Sequence, residues 1–173
     1  MKNIIFILLI LGLAGCAKNS EQPIVEDREE PDVIINNFKD RYNSGLQKIW
    51  MVDSKYAEIY NKKKFIYLKD VYVEFYRDNK FSSSVKADKG MIDNSFKKVL
   101  AQSNVVVKSD DGSLLYTRTL TYEDSISKFV TEDYVKIIRP KGDIIEGIGM
   151  EADKNLEKIV IKKKVKGKMK NVK

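Results

Sequence analysis

The stretch Phe65-Ile66-Tyr67-Leu68-Lys69-Asp70-Val71-Tyr72-Val73-Glu74-Phe75 consists mainly of β-branched and aromatic residues, the side chains that fit a pleated sheet. It contains two apolar runs separated by Lys69-Asp70, and three later stretches repeat this arrangement. Taken at Val71, Val105, Val135 and Val165, the four stretches lie 34, 30 and 30 residues apart. Turn-forming residues such as Asp110-Asp111-Gly112 separate them. A unit of this length that recurs with strands and turns predicts an all-β domain of similar modules.

The alternation of side chains predicts which face of each strand is buried. Residues two apart share a face of a strand, so each valine shares a face with the residues four and six positions before it. We predict that this set forms an interior wall and that the opposite face, with residues such as Glu74, Lys108 and Lys136, contacts solvent. By pattern alone the wall fits a closed core as well as an open groove. It comprises Phe65, Tyr67, Val71, Val73, Phe75, Val99, Ala101, Val105, Val107, Phe129, Thr131, Val135, Ile137, Ile159, Ile161 and Val165.

The first residues predict export and a lipid anchor. A positively charged start is followed by the apolar run Ile4 to Leu13 and then by Ala14-Gly15-Cys16. The run is shorter than the roughly 20 apolar residues that cross a bilayer as a helix, so we predict a secretory signal over residues 1–15. Cys16 resembles the acylated cysteine of a bacterial lipobox. The alternative is a buried structural cysteine, but the chain has no second cysteine for a disulfide and no histidine.

The remaining chain divides into a tether and a body of opposite charge. Residues 16–32 contain the predicted lipidated cysteine and an acidic, solvated tether, and residues 33–173 form the predicted β domain. The formal net charge is +7, and nine lysines lie between Lys154 and Lys173. Export argues against nucleic acid as the partner and favours an anionic lipid. The lysines fit three roles: protection of an edge strand from aggregation, attraction of lipid phosphates, or docking of an acidic partner.

An ordered set of short segments resembles one family. The segments are Asn43-Ser44-Gly45, Ser84 to Gly90, Leu115-Tyr116-Thr117 and Gly147 to Asp153. In order and spacing they resemble the LptC family of periplasmic lipopolysaccharide-export proteins, which are OstA/LptA-like β-jellyrolls, over about residues 33 to 168. The resemblance implies a single twisted, open antiparallel β-jellyroll whose apolar groove holds acyl chains. Better-known members carry an N-terminal transmembrane helix, whereas the apolar run here is short and ends in a lipobox.

The resemblance also implies a function and partners. The protein would accept lipopolysaccharide, or a related glycolipid, from an inner-membrane ABC transporter and pass it to a downstream LptA-like periplasmic jellyroll. It would lie in the periplasm, lipid-anchored to the inner membrane. The alternative is a structural or adaptor lipoprotein with a closed β core. Groove candidates are Val71, Val73, Phe75, Val99, Val105, Val107, Phe129, Val135, Ile137, Ile159 and Ile161; partner-edge candidates are Ile161, Lys163, Val165 and Gly167.

The sequence offers no convincing catalytic or metal site. Ser113 lies near Asp110 and Asp111, but the chain has no histidine to act as a base. Asp88, Asp124 and Asp153 recur near equivalent places in their units, which could suggest the paired carboxylates of a glycosidase, but their positions at turns and strand ends explain them without catalysis. We therefore predict a protein that is not an enzyme and needs no cofactor or metal.

We expect the substitution Cys16→Ser to abolish acylation, because the hydroxyl replaces the thiol that forms the thioether to the lipid. The product would be an uncleaved precursor or a soluble exported chain. Mass spectrometry of the mature N-terminus is the measurement. An unmodified wild-type chain that begins at another residue would contradict the lipid anchor.

Overall fold

The computed structural model describes residues 30–93 and 95–170, so the predicted signal peptide, Cys16 and most of the tether lie outside it. Within these described residues, nine antiparallel strands form one sheet in sequential order, which confirms the predicted all-β class. No helix in the described part of the chain is long and apolar enough to span a membrane. The strands are β1 (Val33–Ser44), β2 (Gln47–Tyr60), β3 (Phe65–Arg77), β4 (Lys80–Asp93), β5 (Lys98–Ser109), β6 (Leu114–Glu123), β7 (Lys128–Ile138), β8 (Ile144–Asp153) and β9 (Ile159–Lys168).

The repeat seen in the sequence corresponds to a β-hairpin. The two apolar runs of each unit join into one long strand, which is β3, β5, β7 or β9, and the next strand returns antiparallel to it where the chain continues. The spacing of about 30 residues is therefore the length of two long strands with their turns. This explains why turn residues separate the units, while the polar pair Lys69-Asp70 lies inside a strand.

Irregular residues cross the middle of the sheet in a line, which we call the fold line. Asp70 in β3 has a φ of 53°. It separates Leu68 from Val71, which are both buried although an odd number of positions apart. Register shifts occur at the same level from β4 to β9. The fold-line residues with left-handed backbone are Asn37, Asp70, Ser103, Asn104, Gly149 and Lys164.

The sheet folds over at this line so that its two halves pack against each other. The Phe75 ring, between the fold line and the β3–β4 turn, lies with its centroid 4.7 Å from that of Tyr122 and 5.0 Å from that of Phe129. Tyr122 and Phe129 lie on the opposite side of the line, next to the β6–β7 turn. Two half-sheets therefore enclose one apolar interior, and the hairpin turns of both meet along the side opposite the fold line. We call that side the mouth.

The fold line also decides where the predicted face assignment is correct. In β5 and β7 the line adds an extra residue, so Val99 shares the interior with Val105 and Phe129 with Val135, as predicted. In β3 the buried residues on the two sides of the fold line, Leu68 and Val71, are an odd number of positions apart. The assignment of Phe65 and Tyr67 to the interior is therefore wrong, and Ile66 and Leu68 are buried instead.

Val165 corrects a second part of the predicted wall. Its side chain is 60% exposed, because it lies on the last strand, where no further strand covers it. The earlier residues of the same strand behave differently, since Ile159 and Ile161 are partly buried and pack against the core. Strand β9 therefore leaves the interior part-way along its length.

Gly147 in β8 allows β9 to pack closely. A Cβ at this position would lie 2.4 Å from Ile161 Cγ2 and 2.9 Å from the Lys163 carbonyl oxygen. Both contacts are shorter than carbon and oxygen atoms tolerate, so a side chain here requires β9 to move. Gly167 in β9 has nothing within 4 Å of its corresponding position.

We predict that Gly147→Val loosens β9, because the new side chain occupies the space of Ile161. Amide hydrogen exchange over residues 159–168, followed by mass spectrometry, should become faster while β2 to β6 keep their protection. Gly167→Val is the matched control, and it should leave exchange unchanged. Equal protection of β9 in both variants would contradict the close approach at Gly147.

Candidate lipid-binding interior and sheet edges

The interior between the half-sheets is apolar and closely packed. Nine of the groove candidates are buried, with side chains at most 5% exposed, and Ile159 and Ile161 are partly buried at its border. A remaining cavity of about 10 Å³ lies between Leu68, Val73, Val99 and Leu120. A space of this size holds about one water molecule. The interior is therefore closed to an acyl chain in this structure. The nine buried candidates are Val71, Val73, Phe75, Val99, Val105, Val107, Phe129, Val135 and Ile137.

Two aromatic clusters hold the half-sheets together. Phe75, Tyr122 and Phe129 form the central one, and burial together with the nearby Asp124 carboxylate raises the pKa of Tyr122. The Tyr122 hydroxyl, which therefore stays protonated, donates to Asp124 Oδ1 over 3.2 Å. The second cluster joins Trp50 of β2 to Phe96 after β4, with ring centroids 6.2 Å apart. Buried aromatic pairs stabilise such contacts beyond the area they remove from water.

The loop between β8 and β9, residues 154–158, closes the mouth. The Lys154 ammonium donates to the backbone carbonyl of Tyr76 over 2.6 Å, a contact between residues 78 positions apart. Arg139, just after β7, donates from Nη1 to the Leu156 carbonyl over 2.8 Å. The Leu156 side chain is fully buried. Burial lowers the pKa of Lys154, as expected for an ammonium removed from water.

In the part of the chain that the structure describes, the sheet has two free edges, since β1 pairs only with β2 and β9 only with β8. All four partner-edge candidates, Ile161, Lys163, Val165 and Gly167, lie on β9. Ile145, Ile159 and Ile161 lie partly buried beside this edge, so the apolar interior extends to it. Lys162 Nζ lies 2.5 Å from Glu132 Oε1, and this hydrogen bond raises the pKa of Lys162.

Comparison with known proteins identifies the family. The sequence profile described as "Lipopolysaccharide-assembly, LptC-related" matches residues 3–170. The chain belongs to the LptC-related family. As a member it is a component of the periplasmic bridge that transports lipopolysaccharide, and it is not an enzyme.

A solved structure shares the fold of this LptC-related protein. It is the crystal structure of LptH from Pseudomonas aeruginosa, described as the LptA homologous periplasmic component of the conserved lipopolysaccharide transport device. The two chains are 15% identical with a TM-score of 0.57, over 70% of this chain and 95% of LptH. The likeness confirms the β-jellyroll fold. No curated protein matches the sequence.

The acidic residues weighed as catalytic candidates have structural contacts in this LptC-related chain. Asp88 Oδ2 accepts a hydrogen bond of 2.7 Å from Asn104 Nδ2, and Asp153 Oδ1 accepts one of 3.1 Å from the Lys158 amide. Asp124 receives the Tyr122 hydroxyl described above. Ser113 donates to Asp111 Oδ2 over 2.9 Å. Within residues 30–93 and 95–170, no group of His, Cys, Asp and Glu side chains is arranged to hold a metal ion.

Sequence reasoning missed the residues that close the mouth. In the sequence Lys154 belongs to the basic C-terminal segment, and nothing in the local pattern distinguishes Arg139. The signal available was Leu156 itself, an apolar residue in an otherwise polar loop. Its partners lie far away along the chain, so no local pattern identifies them.

Proposed function

We propose that this LptC-related chain holds the acyl chains of lipopolysaccharide between its two half-sheets. It would receive the lipid from the inner-membrane ABC transporter at β1 and pass it to an LptA-like jellyroll at β9. The observation that carries the proposal is an apolar interior that extends along an open sheet to the partly buried Ile159 and Ile161 at a free edge. Family membership supplies the lipid class.

Entry of a lipid requires the half-sheets to separate, because the interior has room for about one water molecule. We place the hinge at the fold line, where the register shifts of β4 to β9 and the left-handed residues Asn37 and Asp70 lie. Acyl chains would replace the lost contacts between half-sheets. Burying each methylene is worth about 0.8 kcal/mol, so a fatty-acyl chain of ordinary length offsets the separation of several buried side chains.

The two free edges supply the joints to the neighbouring proteins. An edge strand carries unpaired backbone N–H and C=O groups, and the edge of another jellyroll satisfies them by continuing the sheet. The exposed lysines of β9, such as Lys163 and Lys166, oppose pairing of β9 with a second copy of itself. A partner with acidic residues along its edge would meet no such repulsion.

The proposed anchor places the jellyroll near the transporter. Acylation of Cys16 would hold the chain at the periplasmic face of the inner membrane, and residues 16–32 would link the lipid to β1. A flexible tether of about 15 residues averages roughly 20–25 Å between its ends. It reaches about 50 Å when fully extended. That range lets β1 approach a transporter in the same membrane.

A structural or adaptor lipoprotein is the second candidate function, and the closed interior favours it. Under this alternative, the packing of Phe75, Tyr122 and Phe129 persists throughout the working life of the protein. The same edges would then join partners without conducting lipid. The two functions differ in whether lipid ever contacts the interior, which a crosslinking experiment measures.

We predict that a photo-crosslinking residue on the interior face captures lipopolysaccharide while the transporter hydrolyses ATP. Suitable positions are Val73, Val105, Val107, Ile137 and Ile161, each checked for folding by circular dichroism. Probes on the outer face at Lys108 and Lys136 are the controls and should capture little. Equal labelling of both faces would contradict the assignment, and folded interior probes that capture no lipid would support the adaptor function.

A second prediction concerns the direction of transfer. A photo-crosslinking residue at Lys163 or Val165 should capture the downstream jellyroll, because these exposed side chains flank the free edge of β9. The same residue at Ile34 in β1, which is 55% exposed, should capture the transporter instead. Lys108, an exposed residue of β5 in the middle of the sheet, should capture neither partner. Exchange of the two partners between β1 and β9 would reverse the proposed direction.

A further inference from the structure

Two cations lie at the mouth beside the loop at residues 154–158, one from each half-sheet. Lys154 follows β8 at one side, and Arg139 follows β7 at the other. Their hydrogen bonds at the mouth go to uncharged oxygens: the carbonyls of Tyr76 and Leu156 and, from Arg139 Nη1 over 3.3 Å, the Ser113 hydroxyl. Lys154 is only 9% exposed. The carboxylates of Asp124 and Asp78 act on Lys154 through space and that of Asp111 acts on Arg139, but among the described residues neither cation forms an ion pair with them. A buried cation gains most from an anionic partner in direct contact.

Asn155 in this loop and two serines of β4 carry buried polar atoms without hydrogen-bond partners among the described residues. Asn155, 1% exposed, has none for either Nδ2 or Oδ1. The hydroxyls of Ser82 and Ser83 at the start of β4 have none either, and both residues are buried. An amide or hydroxyl left unpaired inside a protein costs about 1–3 kcal/mol.

Strand register places these groups along the mouth together. Ser83 pairs with Phe75 on one side and with Ser109 on the other. The Ser109 amide donates to the Ser113 carbonyl, and Ser113 contacts Arg139. A row of polar residues thus runs from Tyr76 to Arg139. The loop at residues 154–158 contacts both ends of this row, through Lys154 at Tyr76 and through Leu156 at Arg139. Asn155 lies between Lys154 and Leu156 in the loop.

The closed loop is also conformationally strained. Leu156 adopts a φ of 56°, in the left-handed region that non-glycine residues rarely occupy. Such a backbone costs about 1–3 kcal/mol. The buried Leu156 side chain stabilises the closed mouth, whereas the backbone strain and the unpaired polar atoms oppose closure. A segment that alternates between a closed and an open conformation requires such opposed contributions to its free energy.

We infer that residues 154–158 form a latch, and that Lys154, Arg139 and Asn155 bind a phosphate of the glycolipid head group when the mouth opens. The inference rests on the proposed function, in which acyl chains occupy the interior. Phosphate oxygens would replace the carbonyls of Tyr76 and Leu156 as acceptors. The guanidinium of Arg139 suits two phosphate oxygens at once, and the Asn155 amide supplies a further donor. The sugar would remain at the surface.

The test compares the full chain with Lys154→Met and Arg139→Met variants, which keep most of the side-chain length and remove the charge. Binding is measured with bisphosphorylated lipid A and with its dephosphorylated form. The wild type should bind the phosphorylated lipid about tenfold more tightly, as a charge-assisted contact allows. Both variants should lose this preference to within about twofold. Lys162→Met, which removes an exposed lysine paired with Glu132 on the outer surface, should keep it.

Each outcome decides the inference. A preference for phosphate that survives in both variants would overturn it. So would a wild type that binds both lipids equally, although the proposed function would then stand. Failure of every protein to bind either lipid would overturn the proposed function as well. If Lys154→Met does not fold, Lys154→Arg serves instead. Arg139→Met then carries the test of the charge, and a preference for phosphate that it retains would overturn the site, whereas Lys154→Arg should keep the preference.

Discussion

The structure depends on one geometric constraint, which is that a strand with alternating side chains must present apolar residues to the same interior on both sides of a bend. Strand β3 meets it by placing Asp70 in a left-handed conformation, which lets Leu68 and Val71 both point inward. Left-handed backbone costs roughly 1–2 kcal/mol for a residue with a side chain. Asn37, Asp70 and Asn104 suit these positions, because short polar side chains tolerate that conformation best. Burial of large side chains such as Trp50 and Phe75 offsets the cost.

The fold line allows the apolar interior to be shielded from water in two ways. With the half-sheets together, Phe75 packs on Tyr122 and Phe129 across the fold, and water is excluded without a ligand. With the half-sheets apart, acyl chains would cover those surfaces. Neither arrangement requires any strand to change its partner, because the backbone pairing runs along the sheet rather than between the halves. A bridge that must load and unload lipid repeatedly benefits from this independence.

The sequence reveals the local part of this design and hides the long-range part. The β-branched runs and their spacing predict the strands, and the family resemblance of ordered segments such as Gly147 to Asp153 implies the jellyroll. The interior face is predicted correctly at Val99 and Val105, because an even number of positions separates the buried residues on the two sides of the fold line. It is predicted wrongly at Phe65, because in β3 that number is odd. The pair Lys69-Asp70 interrupts the apolar run, but an aspartate inside a strand does not by itself indicate a left-handed backbone. The contact of Lys154 with the Tyr76 carbonyl depends on how the halves meet, so no local sequence pattern encodes it.

Chain connectivity links the mouth to the outgoing edge. Leu156 lies three residues before Ile159, where β9 begins, and Gly147 holds β9 close to β8. Movement of Leu156 out of the interior therefore acts directly on the first residues of β9, through Glu157 and Lys158. Pairing of β9 with a partner edge would restrain those residues in turn, since effects between coupled equilibria are reciprocal. Opening of the mouth and docking of the next jellyroll are thus expected to influence each other, which would favour release of lipid where a partner is present to accept it.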